Sequence, residues 1–362
     1  MQPPLDESTF SALTCDAVLV PPAQHIGEGD ERITYIQQQP TWHCDFSFDG
    51  TCLAVCYGAP DPCVRIWRTE QRIAKSGESC RSWTLYTTLS GIQKRTIRSV
   101  KFAPITKPLI LASASFDGTV AIWEEQQPSK EWDCTAQLEG HDSECKDVAW
   151  NASGTLLATC GRDKTVWIWE AHLPGTVGGR GRESDFECLA VLNGHEADVK
   201  CYWGDGEEIV LSGSYDDTIR VWAEDGGDWY CAATLDSIHS STIWSITVAP
   251  SGTRFVSASD DGSLTICKSF SPDELPAKNG KKSPVWQPVG KLEAHKGTIY
   301  SVDYANARVG HGRIVSSGAD NRILIYRETM NSTSSKPTFQ LDAGIDIPQA
   351  GDINCVKWHP WD

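Results

Sequence analysis

The 362-residue chain predicts an all-β fold, a ring of small four-stranded antiparallel sheets of the β-propeller type. Three observations carry this. Short alternating apolar runs recur between turn signals, about ten residues apart, as hairpin-linked strands require. A turn aspartate recurs at Asp61, Asp117, Asp163, Asp216, Asp261 and Asp320, 45 to 59 residues apart. Fixed companions travel with it. Six residues later stand Trp67, Trp123, Trp169, Trp222, Cys267 and Tyr326, and four before stand Tyr57, Ser113, Thr159, Ser212, Ser257 and Ser316. His141, His195, His239 and His295 precede their aspartates by 21 to 25 residues.

The stretch 138–170 shows one whole repeat, with Gly140-His141 at its front and Trp169-Glu170 at its back, the signature of a WD40 blade. Trp indole, Ser/Thr hydroxyl, His and Asp can form one buried hydrogen-bonded chain, each link worth about 1 kcal/mol net. A Ser, a His and an Asp together also resemble a hydrolase triad. Repetition decides, because a triad is needed once and this set recurs. GxSxG, HExxH, GxxxxGK[ST] and strand–helix GxGxxG are all missing. No catalytic residue, no cofactor and no enzymatic activity are expected.

In chain order, residues 1–32 are rich in Pro, Gly and acid, with a strand expected within 10–20 that would close the ring as the outer strand of its last blade. Residues 33–362 form the propeller. Blade one takes 42–48, 51–57, 63–67 and 82–89; blade two, 96–102, 109–115, 119–123 and 132–138. Blade three is 138–170 plus 186–192, and blade four takes 199–203, 208–214, 218–222 and 229–235. Blade five takes 242–249, 254–259, 263–268 and 285–292; blade six, 298–304, 313–318, 322–326 and 337–341. Seven blades are expected, the seventh beginning at 352–358 and incomplete, as in a truncated sequence. Insertions at 68–81, 171–185, 269–284 and 327–336 all follow a blade's third strand, so they leave from one face and the other face stays clear.

The net charge of −16 disfavours nucleic acid and anionic membrane as partners. No secretory start is expected, and no apolar run is long enough to span a bilayer. Fourteen cysteines, most within expected strands and none in a CxxC, read as buried thiols of a reducing compartment; no metal site is expected.

Two residue sets should ring the channel mouth on the clear face. Before the turn aspartates stand Pro60, Phe116, Arg162, Tyr215, Asp260 and Ala319. At the start of the first strands stand Trp42, Arg98, Lys146, Lys200, Trp244, Tyr300 and Asn354. Basic side chains among aromatics suit an acidic, aromatic-bearing peptide. The alternative is that Lys146 and Lys200 are simply solvated and the aromatics cap the channel. Arg162 stands out, with a planar fork suited to carboxylate beside a tight turn.

The segments 111–123 (LASASFDGTVAIW), 138–140 (LEG), 146–150 (KDVAW), 156–170 (LLATCGRDKTVWIWE), 186–200 (FECLAVLNGHEADVK), 214–218 (SYDDT) and 228–235 (DWYCAATL) closely resemble the WD40 subunit of the cytosolic iron–sulfur protein assembly machinery. The resemblance is strong across blades two to five and weaker in blades one and six. It implies a seven-bladed, non-enzymatic scaffold that binds a small subunit and a large helical-repeat subunit of the targeting complex. It further implies docking of the upstream cluster carrier and of apo-protein clients, so that a [4Fe–4S] cluster reaches cytosolic and nuclear proteins. Some clients or adaptors end in a short apolar, acidic and aromatic tail. The family's important exposed arginine falls, by this resemblance, on Arg162. A cytoplasmic and also nuclear location follows. The long insertions 171–185 and 269–284, Cys267 and the lack of Gly-His before blade two depart from the family pattern. The rival reading is another WD40 adaptor, such as a ubiquitin-ligase substrate receptor or a chromatin reader. Against it, Trp123, Trp169 and Trp222 are not followed by the Asp-x-Arg usual in ligase receptors.

Overall fold

A computed structural model describes residues 39–73, 79–174, 184–203, 209–270, 285–293, 295–305, 312–329, 338–347 and 351–360. The expected N-terminal closing strand, and most of the third-strand insertions, lie outside these residues.

Among the described residues, twenty-four strands form six four-stranded antiparallel sheets, each a meander in chain order. Blade one holds β1 (Thr41–Phe46), β2 (Cys52–Tyr57), β3 (Cys63–Ile73) and β4 (Ser79–Ser90). Blade two holds β5 (Ile97–Phe102), β6 (Ile110–Ser115), β7 (Val120–Glu125) and β8 (Trp132–Leu138). Blade three holds β9 (Cys145–Trp150), β10 (Leu156–Gly161), β11 (Val166–His172) and β12 (Asp185–Leu192). Blade four holds β13 (Val199–Trp203), β14 (Ile209–Ser214), β15 (Ile219–Asp225) and β16 (Asp228–Leu235). Blade five holds β17 (Ile243–Val248), β18 (Arg254–Ser259), β19 (Leu264–Phe270) and β20 (Val285–Leu292). Blade six holds β21 (Ile299–Tyr304), β22 (Arg313–Gly318), β23 (Arg322–Thr329) and β24 (Thr338–Asp346).

The middle strands carry the core because they are covered on both faces. β6 and β7 are buried along their whole length, whereas outer β12 exposes five of its eight residues. Apolar side chains of neighbouring blades merge there: Ala54, Ile66, Val100 and Leu111 pack between blades one and two. The insertion expected at 68–81 is partly regular, since β3 and β4 stay paired into it as far as Ile73 and Ser79.

The expected hydrogen-bonded chain is present. In blade three His141 joins Asp163 (Nδ1–Oδ2, 2.7 Å) and Thr159 (Nε2–Oγ1, 2.9 Å), and Trp169 Nε1 donates to the same hydroxyl at 3.0 Å. Blade four repeats it with His195, Asp216, Ser212 and Trp222 at 2.7–2.8 Å. His239 and His295 keep the His–Ser–Asp part in blades five and six. In blade two Gln93 replaces the histidine, accepting from Ser113 Oγ at 2.7 Å. Burial acts to raise the carboxyl pKa of Asp261. The Ser263 hydroxyl, the Ser240 N–H and His239 outweigh it and bring Asp261 down to about 2.

Seven blades were expected, and six are described. Segment 351–360, an irregular stretch, lies between blades six and one. Trp358 N and Lys357 Nζ both donate to Asp303 on β21, at 2.8 and 2.7 Å. Phe102 N and Lys101 Nζ make the same pair of bonds to Asp45 between blades one and two, both at 3.0 Å. Across the other flank, Asn354 Nδ2 donates to Thr41 O at 2.9 Å.

A candidate docking rim on the clear face

The clear face is built from second-to-third strand turns and from the loops leading into the inner strands. In five blades the residue after the turn aspartate is left-handed: Gly118, Lys164, Asp217, Gly262 and Asn321. That geometry lets the aspartate cap the next residue; Asp163 accepts from both Thr165 N (3.1 Å) and Oγ1 (2.8 Å). The turns are thus rigid, and the residue before each aspartate is held at the rim.

Most of the expected rim residues come together in one arc. Lys146 Nζ lies 5.8 Å from the Phe116 ring and 5.0 Å from the Tyr215 ring, and is paired with Asp198. Tyr215 packs against Trp244 at 5.0 Å, and Trp244 meets Tyr300 edge-on at 5.4 Å. Tyr300 Oη donates to Asp352 at 3.3 Å. Between blades one and two, the Arg98 guanidinium lies over Trp42 at 5.1 Å. The indole N–H groups of Trp42 and Trp244 are buried and have no partner within the described residues.

Arg162 stands off this arc with its side chain 60% exposed. Its backbone N–H donates to Glu144 O at 2.9 Å, and its Nη1 lies 3.6 Å from Glu144 Oε1. Glu144 is shared with Arg95, whose Nη2 is 3.0 Å from the same oxygen. One carboxylate thus faces two guanidiniums, leaving most of their donors to solvent. Arg95 and Glu144 belong to neither residue set read from the sequence, because they lie in the loops before β5 and β9 rather than at a strand start or a turn.

Lys200 is not on the rim. Its side chain is 5% exposed and sits in the channel wall, with Nζ donating to Lys146 O at 3.1 Å and lying 3.9 Å from Asp147. The reason is a missing bulge. In β1, β5, β9, β17 and β21 the register shifts near the strand start, and in β1, β5, β17 and β21 the shift falls at Trp42, Arg98, Trp244 and Tyr300. β13 pairs with β14 without a shift, so Lys200 opposes Gly213 as Ser99 opposes Ala114. Burial lowers Lys200 to about 8, helped by Arg98 and resisted by Asp147.

The rim offers exposed guanidinium and a largely covered ammonium amid aromatic faces. That chemistry suits carboxylates and aromatic side chains of a partner chain. No group of three or more His, Cys, Asp or Glu residues among the described residues could hold a metal ion.

Comparison with known proteins gives a consistent picture. The WD domain, G-beta repeat family matches residues 83–124, 132–170, 186–223, 229–267 and 286–327. A probable cytosolic iron-sulfur protein assembly protein 1 from Botryotinia fuckeliana is 32% identical, over 71% of this chain and 74% of that protein. Its namesake from Debaryomyces hansenii is 34% identical, over 77% of this chain and 83% of that protein. A probable cytosolic Fe-S cluster assembly factor from Schizosaccharomyces pombe is 36% identical over 68% of this chain, which spans 39% of that longer protein.

Proposed function

Because the chain belongs to the WD-repeat family, and within it to the cytosolic iron–sulfur protein assembly proteins, we propose that it is a non-enzymatic scaffold of that pathway. The clear-face rim is its docking surface. Arg162, with Arg95 beside it, takes a carboxylate of the partner. Lys146, Phe116, Tyr215, Trp244 and Tyr300 take an aromatic side chain, and Trp42 and Arg98, on blades one and two, line the rest of the mouth. The observation that carries this is the continuous arc from Phe116 through Lys146, Tyr215 and Trp244 to Tyr300, beside a largely exposed Arg162. An acidic tail with an aromatic residue fits it. Lys200 supports the rim from below instead of touching the ligand.

On this reading the partners are the small and helical-repeat subunits of the targeting complex, the upstream cluster carrier and apo-protein clients. The [4Fe–4S] cluster is cargo. The propeller holds no cofactor of its own, binds neither nucleic acid nor membrane, and works in the cytoplasm and also in the nucleus. Segment 351–360 is the inner strand of a seventh blade. Its bonds to Asp303 repeat those that β5 makes to Asp45, which supports that placement.

The test is capture of the tagged chain from its native cell, read by mass spectrometry. The expected result is enrichment of iron–sulfur assembly subunits by the wild type and loss of clients from a folded Arg162→Glu protein. Enrichment of a ligase core or chromatin subunits in their place would refute the reading.

A further inference from the structure

Three inner strands offer one side chain from the same position to the backbone of the next strand around the ring. His43 Nδ1 accepts from Val100 N at 3.4 Å, Ser245 Oγ from Val302 N at 3.3 Å, and Ser301 Oγ from Val356 N at 3.1 Å. Carried one step further around the ring, the offering residue is Cys355 and the receiving one is Cys44 on β1. Their sulfurs lie 3.6 Å apart, with Cys44 donating, and Cys355 Sγ is 3.8 Å from the Cys44 carbonyl oxygen. The residues are 311 apart in sequence. This is the flank where segment 351–360 meets blade one. Around the thiols it is held by Asn354 Nδ2 to Thr41 O at 2.9 Å, by a His359–Gly50 O bond at 3.0 Å, and by the His359 ring set edge-on to Phe46 at 5.0 Å.

We propose that Cys44 and Cys355 form a peroxide-sensitive thiol pair that closes to a disulfide and staples segment 351–360 to blade one. The repeat geometry brings the two side chains together, and closing the bond takes the sulfurs from 3.6 Å to about 2.05 Å. The surroundings favour Cys355 as the attacking sulfur. The hydrogen bond from Cys44 holds its pKa well below the usual thiol range, with His43 and Lys357 adding to this against burial. Cys44 is pushed up by the same bond and by burial.

The other close-set thiols differ. Cys145, Cys160 and Cys201 are fully buried and raised by burial, and they donate to the carbonyls of Cys160, Val199 and Ala158 at 3.5, 3.2 and 3.7 Å.

The chemistry balances with hydrogen peroxide as the oxidant. The Cys355 thiolate attacks one peroxide oxygen, the O–O bond breaks, and the departing hydroxide takes a proton to become water. The Cys44 sulfur then displaces hydroxide from the Cys355 sulfenic acid. The hydroxide takes up the Cys44 proton, and the S–S bond forms. Two thiols and one peroxide give one disulfide and two waters. A cross-link spanning so much of the chain acts chiefly by restricting the unfolded state, so the oxidised ring resists unfolding better than the reduced one.

The experiment treats the full chain with hydrogen peroxide at neutral pH, alkylates remaining thiols, and maps peptides without reduction. The expected result is a linked pair of peptides carrying Cys44 and Cys355, lighter by two hydrogens and released by dithiothreitol. The thermal midpoint should rise on oxidation in the wild type and in Cys160→Ser, and should not rise in Cys44→Ser or Cys355→Ser. Recovery of Cys44 and Cys355 as separately alkylated or separately oxidised peptides would overturn the proposal, and this needs no variant to fold. A cross-link that leaves the midpoint unchanged would overturn the staple.

Discussion

Blades three and four share the full His–Ser/Thr–Asp–Trp chain, and each opens its first strand with a lysine, yet the two lysines do different things. Lys146 stands at the mouth of the channel, in contact with Phe116 and Tyr215 and paired with Asp198. Lys200 is sealed in the wall below it, against Asp147 and the Lys146 carbonyl. The cause is a single residue: β9 carries a register shift and β13 does not. In a propeller the rim is thus set by whether the inner strand bulges, and the same residue type is a recognition group one register up and a structural charge one register down.

The lysines give the sharpest way to break the comparison. Lys200→Ala strands a buried Asp147 and should cost about 3–5 kcal/mol in urea unfolding. Lys146→Ala removes a half-buried pair whose partner Asp198 stays in reach of solvent, and should cost less, about 1–2 kcal/mol. Equal costs would mean that the two sites are equivalent after all. Next in size is Ser212→Ala in blade four. It leaves His195 Nε2 and Trp222 Nε1 without their shared partner, at about 2–3 kcal/mol by the same measurement.

Acid should then act on the blades through their turn aspartates. Asp261 lies at about 2, below its ordinary 3.8, so the unfolded chain binds its proton first as pH falls. The stability it contributes is whole above about pH 4 and is lost as pH drops toward 2. Asp261→Asn should flatten thermal melts across that window, and an unchanged slope would contradict the assignment. Smaller still is the turn of blade three, where Lys164 holds a left-handed φ of 72° that blades two and five give to Gly118 and Gly262. Lys164→Gly should stabilise by about 0.5–1 kcal/mol, read as a shifted urea midpoint.

Much of this was legible in the sequence because a repeat is its own control. The aspartate, the hydroxyl four before it and the aromatic six after it are locked to strand and turn geometry. The hydrogen-bonded chains therefore formed where their spacing placed them. Even the displacement of Lys200 leaves a trace. Arg98 to Phe102 and Lys146 to Trp150 span four residues, whereas Lys200 to Trp203 spans three. A missing bulge is visible as a shortened interval, though the residue column alone hides it. Arg95, Glu144 and Gln93 were not legible. They lie in connecting loops, where no strand period fixes position, and their roles arise from contacts with the next blade or with their own turn. The thiol pair Cys44–Cys355 depends on ring closure, and no local pattern encodes that.

The central claim is that recognition happens on the clear-face rim. The most direct measurement is capture by the tagged chain from its native cell, comparing the wild type with Trp244→Ala on that rim and Lys107→Glu in the β5–β6 turn on the opposite face. All three should be checked for an unchanged melting curve. The account predicts that Trp244→Ala loses the client proteins while Lys107→Glu retains them. Loss with Lys107→Glu and retention with Trp244→Ala would place recognition on the other face and contradict it.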